Sequence, residues 1–201
     1  MSSLPEADRP RPSLRERKKL RTRAAIQDVA LRLFRTQGYA ETTVEQIAEA
    51  AEVSPSTFFR YFPTKEDVAL YDALDPLMIE AFRSQPAALS PLAAMRAAMH
   101  EVFGAVPDQM AMQADRSDII FAVPELQTRM LGEFVKTIDL FVEVVSERVG
   151  PDADDFAVRT LVGSVVGIAI AVWMAGGGSL GADYVAQFDR AFALLEAGLP
   201  V

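Results

Sequence analysis

The stretch that most restricts how this chain can fold is residues 42–65, TTVEQIAEAAEVSPSTFFRYFPTK. Thr43 and Ser54 each precede a helix-forming run, and such hydroxyl side chains accept hydrogen bonds from the free amides at a helix start. Pro55 suits the first position of a helix, where its missing N–H costs nothing, and Pro63 ends that helix. The stretch therefore predicts two short helices joined by a tight turn, which is the layout of a helix-turn-helix.

The second of these helices, at about residues 55–61, has an apolar inner face and a polar outer face. Phe58 and Phe62 are four residues apart and lie on the same face. The outer face carries three hydroxyls, a guanidinium and a phenol, at Ser54, Ser56, Thr57, Arg60 and Tyr61. These groups can contact phosphates and base edges, which favours a helix that enters the DNA major groove. An ordinary helical hairpin with a polar face is the alternative.

Charge is distributed unevenly along the sequence. Residues 1–66 hold twelve Lys and Arg against nine Asp and Glu, whereas residues 67–201 hold eight against nineteen. The net charge of −8 therefore conceals a basic N-terminal end. Six cations lie in residues 15–23, at the start of the helix that precedes the helix-turn-helix. There they can lie along the phosphate backbone, although a solvated charge run is the alternative.

Several short motifs occur in one register: Gly38-Tyr39, Thr42-Thr43-Val44, Ile47-Ala48, Ala51, Val53-Ser54, Phe58-Phe59-Arg60-Tyr61-Phe62 and Lys65-Glu66. Together they resemble the N-terminal signature of the TetR family of bacterial transcriptional regulators, over about residues 17–70. The resemblance implies an all-helical homodimer, usually a repressor, with a C-terminal ligand-binding and dimerisation domain. Phe59 departs from the tyrosine that is common in the family and that contacts a phosphate. We predict that a double-stranded DNA operator contacts Arg15, Arg17, Lys18, Lys19, Arg21, Thr43, Val44, Ser54, Ser56, Thr57, Arg60, Tyr61 and Lys65.

The whole sequence predicts an all-α protein of about nine helices, because no period-2 stretch indicates a sheet. We divide it into a disordered tail (1–14), a helix-turn-helix domain (15–63) and a ligand-binding and dimerisation domain (64–201). A fourth helix is predicted from Lys65 to about Arg83, long enough to join the two domains, with Pro76 kinking or shortening it. Further helices are predicted at about 91–105, 108–122, 125–149, 154–177 and 183–198.

Residues 160–182 contain no charged side chain, so a membrane span is one interpretation. The apolar helix itself is only about 16 residues long, short of the ~20 that a span needs, and we predict a protein-buried helix and no membrane contact. Small residues spaced by four permit close helix approach there. In the TetR resemblance, the last two helices pair with their copies. The predicted homodimer interface comprises Gly163, Gly167, Ala171, Phe188 and Phe192.

Methionine and phenylalanine are concentrated between residues 91 and 141. Methionine is frequent at adaptable binding surfaces, although core packing explains any one of them more simply. Motifs at Arg116, Ile119-Ile120, Pro124-Glu125-Leu126, Trp173 and Gly176-Gly177-Gly178 resemble a TetR branch typified by mycofactocin-system regulators, which implies acyl-CoA-like ligands. Pairing of Arg116 with Asp115, Asp118 or Glu125 is the alternative to a ligand role. The predicted site for a small apolar effector, of the acyl-CoA-like class that the resemblance implies, comprises Met95, Met99, Phe103, Arg116, Phe121, Met130 and Phe134.

Other classes of function find less support in the sequence. There is no cysteine and only one histidine, His100, which excludes disulfides and thiolate ligands and disfavours a transition-metal site. No P-loop, dinucleotide-binding glycine motif or Ser/His/Asp arrangement indicates an enzyme, and we predict no cofactor. The absence of a secretory signal and of cysteine predicts a cytoplasmic protein. A ligand-independent dimeric DNA-binding protein is the main alternative, and an enzyme is the less favoured one.

Overall fold

The structure is a computed structural model, and it describes residues 13–105, 107–150, 154–176 and 183–199. Every regular element in these ranges is an α-helix, which confirms the all-α prediction. Most of the predicted tail, residues 1–12, lies outside the described residues. The helices are α1 Leu14–Gln37, α2 Val44–Ala50, α3 Pro55–Tyr61, α4 Lys65–Leu70, α5 Asp75–Ser84, α6 Pro91–Ala105, α7 Pro107–Ala122, α8 Pro124–Val149, α9 Asp155–Ala175 and α10 Tyr184–Glu196.

The helix-turn-helix consists of α2 and α3, and its helix starts form as the sequence predicts. The amide of Gln46 donates to the Thr43 hydroxyl at 3.2 Å, and the Thr43 amide donates to the Gln46 side chain at 2.9 Å. This completes a capping box. The Thr57 amide donates to the Ser54 hydroxyl at 3.1 Å at the start of α3. The inward side chain Phe58 is fully buried, so α3 presents its other face to solvent.

The turn between α2 and α3 holds a non-glycine residue in the left-handed region. The Val53 amide donates to the Ala48 carbonyl at 2.9 Å, and the Glu52 amide donates to the Glu49 carbonyl at 3.0 Å. These two bonds are those of a Schellman motif, which usually has glycine at the position of Glu52. Glu52 has a φ of 54°, where a side chain costs on the order of 1 kcal/mol relative to glycine.

The helix predicted from Lys65 to about Arg83, kinked or shortened by Pro76, is shortened: residues 71–74 divide it into α4 and α5. Pro76 lies in the first turn of α5. A helix that ran through this position would bring the proline ring against the carbonyl of Asp72, four residues earlier. The division raises the number of helices in the described ranges to ten, against about nine predicted.

The C-terminal end of α4 is capped by side chains from two other helices. The carbonyls of residues 68–71 lie where no further helical turn supplies amides. Gln27 of α1 donates through Nε2 to the first and last of them, at 3.1 and 2.7 Å. Arg116 of α7 donates to the middle two, at 3.2 Å from Nε and 3.0 Å from Nη2. These bonds tie α4 to α1 on one side and to α7 on the other.

Two hydrophobic clusters meet near this division. The first contains buried residues of α1–α4 together with Ile119, Ile120 and Leu126 of α7 and α8. The second contains buried residues of α5, α6, α8, α9 and α10. The helix-turn-helix unit is therefore packed onto α7 and α8, which continue its core, and an ion pair between Arg35 and Asp115 links α1 to α7 on the surface.

The helix α9 is long and apolar enough to cross a membrane, as judged by length and composition alone. Its inner face carries Val158, Val162 and Val172, which are buried in the second cluster. Arg159 near its start donates to Asp139 of α8 at 2.7 Å. In this fold α9 packs along α8 and α10 as part of the bundle, while its outer face stays exposed.

Replacing Glu52 by glycine is expected to stabilise the protein by up to about 1 kcal/mol, because glycine adopts the left-handed backbone without the side-chain penalty. The free energy of unfolding in urea measures the change. Glu49→Gly, made in the regular part of α2, is the matched control and should destabilise by about 1 kcal/mol. A loss of stability in both variants would contradict this account of the turn.

Candidate nucleic-acid interface and apolar cavity

A concave surface of about 660 Å³ lies between the start of α1 and the exposed side of α3. Four of its eight lining side chains are cationic and three carry a hydroxyl; they are Arg15, Lys18, Lys19, Thr22, Val53, Thr57, Arg60 and Tyr61. The fold thus brings together the cation run and the polar face of α3, which the sequence predicts as phosphate-contacting and base-contacting groups. Thr22 and Val53 were missed, although Thr22 follows Lys18 by one helical turn.

The start of α3 presents a cluster of hydroxyl groups. The Ser54 hydroxyl lies 2.9 Å from that of Ser56 and donates to that of Thr57 at 3.0 Å. At the other end of the helix, the Arg60 guanidinium lies 5.3 Å from the centre of the Tyr61 ring. Ser54, Ser56 and Arg60 are exposed, so their polar atoms can reach an external phosphate or base edge.

Four other predicted DNA contacts lie on α1 and α2. Arg21 and Thr43 are exposed, and Val44 is half-buried behind Thr43. The Thr43 hydroxyl already accepts the capping bond of α2 but keeps its own hydrogen for another acceptor. The side chain of Arg17 lies outside the described residues. The contacts of these residues with DNA remain predictions.

Lys65 has partners inside the protein. Its ammonium donates to the carbonyls of Tyr39 and Thr42, at 2.8 and 3.0 Å, and lies 4.2 Å from the centre of the Tyr39 ring. These contacts fasten the start of α4 to the loop between α1 and α2. The observed role is structural, and the phosphate contact of Lys65 remains a prediction.

An apolar cavity of about 160 Å³ lies among α5, α6, α8, α9 and α10. Three of the residues predicted for an effector site, Met95, Met99 and Phe103, line it. Sequence reasoning missed or assigned elsewhere the rest of its apolar wall: Leu74, Met78, Phe141, Val162, Val165, Val166, Ala169, Phe188 and Phe192.

The prediction that Phe188 and Phe192 form the dimer interface is wrong. They are 5% and 1% exposed, so neither can reach another chain in this conformation. Together with Tyr184 they form a stripe spaced by four residues along α10, with ring centres 4.7 Å apart between Tyr184 and Phe188. This spacing was visible in the sequence and indicates an inward helical face.

One end of the cavity is polar and acidic. Asp72, Asp75, Thr137 and Tyr184 line it there. Burial, followed by the negative charge of Asp72, raises the pKa of Asp75 to about 7, while the charge of Arg116 and a hydrogen bond from Thr137 act in the opposite direction. Burial also raises the pKa of the Tyr184 phenol. The sequence carries no signal for this acidic pair, since it depends on how the 71–74 connection folds.

The remaining predicted effector residues lie outside this cavity. Arg116, Met130 and Phe134 line a neighbouring cavity of about 130 Å³. Phe121 lines an open groove with Trp173, and their ring centres are 4.2 Å apart.

The Arg116 side chain is engaged within the protein. Besides the α4 carbonyls, its Nη1 donates to Gln113 at 2.8 Å and to Asp72 at 3.2 Å. Its acidic partner is therefore Asp72, across the fold, and not an acid near it in sequence.

The single histidine takes part in an ion-pair cluster. His100 Nε2 lies 2.8 Å from Asp189, which also accepts from Arg96 at 2.8 Å. The hydrogen bond from Arg96, with that from His100, lowers the pKa of Asp189. No group of three potential metal ligands occurs among the residues that the structure describes.

Two family models match the sequence in the regions described above. Residues 26–71 match the bacterial regulatory proteins of the tetR family, and residues 89–200, more than half of the chain, match the MftR C-terminal domain. The chain belongs to the TetR family. It is therefore a DNA-binding transcriptional regulator whose α2 and α3 form the helix-turn-helix and whose later helices form the ligand-binding type of C-terminal domain.

Individual TetR-family proteins are similar to this chain over most of its length. The HTH-type transcriptional regulator TcmR of Streptomyces glaucescens is 40% identical over 72% of this chain and 67% of TcmR. The putative mycofactocin biosynthesis regulator MftR of Mycobacterium tuberculosis is 25% identical over 74% of this chain and 76% of MftR. The structure of the repressor FadR of Thermus thermophilus in complex with lauroyl-CoA aligns with a TM-score of 0.56 and 26% identity, covering 89% of this chain and 95% of FadR.

The outer face of α9 is small and apolar. Gly167 and Ala171 are exposed and Gly163 is half-buried, and a Cβ atom added at either glycine meets no heavy atom of this chain within 4 Å. Phe156 and Met174, near the two ends of the helix, are 77% and 62% exposed. The three small residues therefore remain candidates for the TetR-type dimer contact.

Replacing Asp75 by asparagine is expected to raise the midpoint of thermal unfolding more at pH 8 than at pH 5. The raised pKa of Asp75 means that the unfolded chain ionises first, so this residue lowers the stability of the fold progressively as the pH rises from about 4 through about 7. Asparagine does not titrate. Asp28→Asn, at an exposed position of α1, is the control for the loss of one carboxylate; equal effects of Asp75→Asn at both pH values would refute the assignment.

Proposed function

We propose that this TetR-family chain is a homodimeric repressor, which binds a palindromic operator and is released by a small apolar effector. The observation that carries the proposal is the occurrence of two different sites on one chain. One is the cationic, hydroxyl-lined concavity between α1 and α3, and the other is the apolar cavity among α5, α6 and α8–α10. Gln27 of α1 and Arg116 of α7 both donate to carbonyls at the end of α4, and these bonds link the helices near the first site to those near the second.

Each site has the chemistry that its role requires. The cations of α1 supply salt-dependent affinity for any DNA, whereas the polar side chains of α3 supply contacts that depend on the bases. Two copies related by a two-fold axis present two such helices to the two halves of a palindrome. The outer face of α9, with its exposed small residues, supports the contact between copies.

The effector class predicted from the sequence is acyl-CoA. It is supported by the similarity to the Thermus thermophilus FadR, which was solved with lauroyl-CoA. The apolar lining of the cavity, with Met95 and Met99 at its wall, suits the apolar part of such a molecule. We further propose that the chain acts in the cytoplasm, outside any membrane, and that it has no cofactor and no enzymatic activity. A dimer that binds DNA without responding to any ligand is the alternative.

Arg60→Ala and Tyr61→Phe are expected to weaken operator binding by about tenfold each, because each removes a group that can contact bases or phosphates from the exposed side of α3. Fluorescence anisotropy with DNA from the region upstream of the protein's own gene measures the affinity. The double variant Lys18→Ala/Lys19→Ala should instead weaken binding to operator and unrelated DNA alike. It should also reduce the salt dependence by about two phosphate contacts.

The control for these DNA-binding variants is Arg83→Ala, which removes an exposed cation of α5 that pairs with Glu147, far from α3 in the chain. Its operator affinity should equal that of the unaltered protein, and thermal unfolding should change little in all variants. If operator affinity is unchanged in the Arg60, Tyr61 and Lys18/Lys19 variants alike, the surface between α1 and α3 is not the DNA-binding surface.

Replacing Gly167 by glutamate is expected to convert the dimer into monomer or aggregate and to abolish operator binding, because it places a charge on the outer face of α9. Analytical ultracentrifugation gives the assembly state. Gly104→Glu, at an exposed position near the end of α6, is the matched control and should leave the dimer intact. A folded Gly167→Glu dimer that still binds operator would locate the interface elsewhere.

A further inference from the structure

We propose that the effector is an apolar organic cation, a protonated amine on an aliphatic or aromatic body, whose charged group binds between Asp72 and Asp75. This inference rests on the ligand-responsive function proposed above and specifies the chemistry of its effector. It departs from the acyl-CoA class, because it is drawn from the polar groups that this cavity contains.

The polar end of the cavity has more acidic groups than cations to balance them. Asp72 and Asp75 both line the cavity, and the charge of Arg116 acts on both. Arg116 forms its ion pair with Asp72, at 3.2 Å, whereas no ion pair to Asp75 occurs among the described residues; the charge of Arg116 and a hydrogen bond from Thr137 lower the pKa of Asp75 but do not offset its burial. A partly buried carboxylate without an ion pair is costly even in the first turn of a helix, where an acid is favoured, and a ligand ammonium would supply the opposite charge.

Among the residues that the structure describes, the basic group at this end is Arg116, and it is engaged within the protein. All three nitrogen atoms of Arg116 already donate to protein acceptors, namely the α4 carbonyls, Gln113 and Asp72. The charge of Glu133 on α8 also acts on Asp75, and Glu133 itself pairs with Lys136 at 2.7 Å. Tyr184 of α10 is a further titratable group that lines the same cavity. A ligand carboxylate or phosphate placed here would add a further negative charge beside acids, which is unfavourable.

The rest of the cavity defines the other half of the ligand. The walls from α6, α9 and α10 contribute methionine, phenylalanine, valine and alanine side chains, with Tyr184 as their only polar member. An apolar body buried there is stabilised in proportion to the apolar area removed from water. The expected ligand is thus apolar along its length and cationic at one end.

The position of the acids also gives the ligand a route to the DNA-binding helices. Asp72 shares Arg116 with the carbonyls of α4, and the same end of α4 is held by Gln27 of α1. An ammonium bound at Asp72 competes with Arg116 for this carboxylate. Binding at the cavity therefore changes the restraints on α4, without requiring any contact between the ligand and DNA.

The test uses three compounds of equal chain length, octylamine, octanoic acid and 1-octanol, with lauroyl-CoA as a fourth probe. Isothermal titration calorimetry of the full-length protein at pH 8 gives the affinities. Octylamine is expected to bind about tenfold or more tightly than octanoate and more tightly than octanol. It is also expected to weaken binding to operator DNA, measured by anisotropy on the same preparation.

Two further measurements assign the preference to Asp75. The substitution Asp75→Asn is expected to remove the preference for octylamine over octanol, whereas Glu80→Gln, which removes an exposed acid from the same helix, should leave it unchanged. In the unaltered protein, octylamine stays protonated while Asp75 must lose its proton to pair with it. Its affinity should therefore rise about tenfold between pH 6 and pH 8. The pH series needs no variant, so it tests the role of Asp75 even if Asp75→Asn does not fold.

The possible outcomes separate this inference from the proposed function. Tighter binding of octanoate or lauroyl-CoA than of octylamine would overturn the inference and leave a ligand-responsive repressor in place. The inference would also be overturned if the affinity for octylamine did not change with pH, or if none of the four compounds bound. Failure of the ligand-free protein to bind any operator DNA would instead overturn the proposed function itself.

Discussion

The guanidinium of Arg116 joins three parts of the structure at one point. It caps the carbonyls at the end of α4, pairs with Asp72 in the 71–74 connection, and is anchored in α7 by Gln113. With only 14% of its side chain exposed, it makes these bonds where water competes poorly, and charge-assisted bonds are then strong. The place where the chain divides its fourth helix thus becomes a fixed junction between the two hydrophobic clusters.

Both ends of α4 are fastened to the helix-turn-helix unit. Its start is held by the Lys65 ammonium on two carbonyls of the preceding loop, and its end by Gln27 of α1. In the proposed switch, a change at Asp72 would act on α4 and α1 together and so shift α3. In a two-fold dimer, such a displacement changes the separation of two recognition helices, which B-DNA fixes by its helical repeat.

Features set by neighbouring residues were predictable, and features set by tertiary packing were not. The caps at Thr43 and Ser54 and the inward turn of Phe58 follow from side chains within four positions, so the sequence determines them. Arg116 had acids near it in sequence, yet it pairs with Asp72, because α7 crosses the end of α4. The two phenylalanines of α10 were assigned to a dimer contact from family resemblance, although their spacing with Tyr184 already indicated an inward face.

The acidic pair in the cavity illustrates why a functional site can oppose the stability of its own fold. An asparagine at position 75 would avoid the cost of burying a carboxyl, although an acid in the first turn of α5 is favoured by the free amides at the helix start. A ligand that supplies the opposite charge recovers part of this cost only in the bound state. Coupling to DNA binding further requires that the ligand bind one conformation of the dimer more tightly than the other, and each tenfold change in DNA affinity corresponds to a difference of about 1.4 kcal/mol.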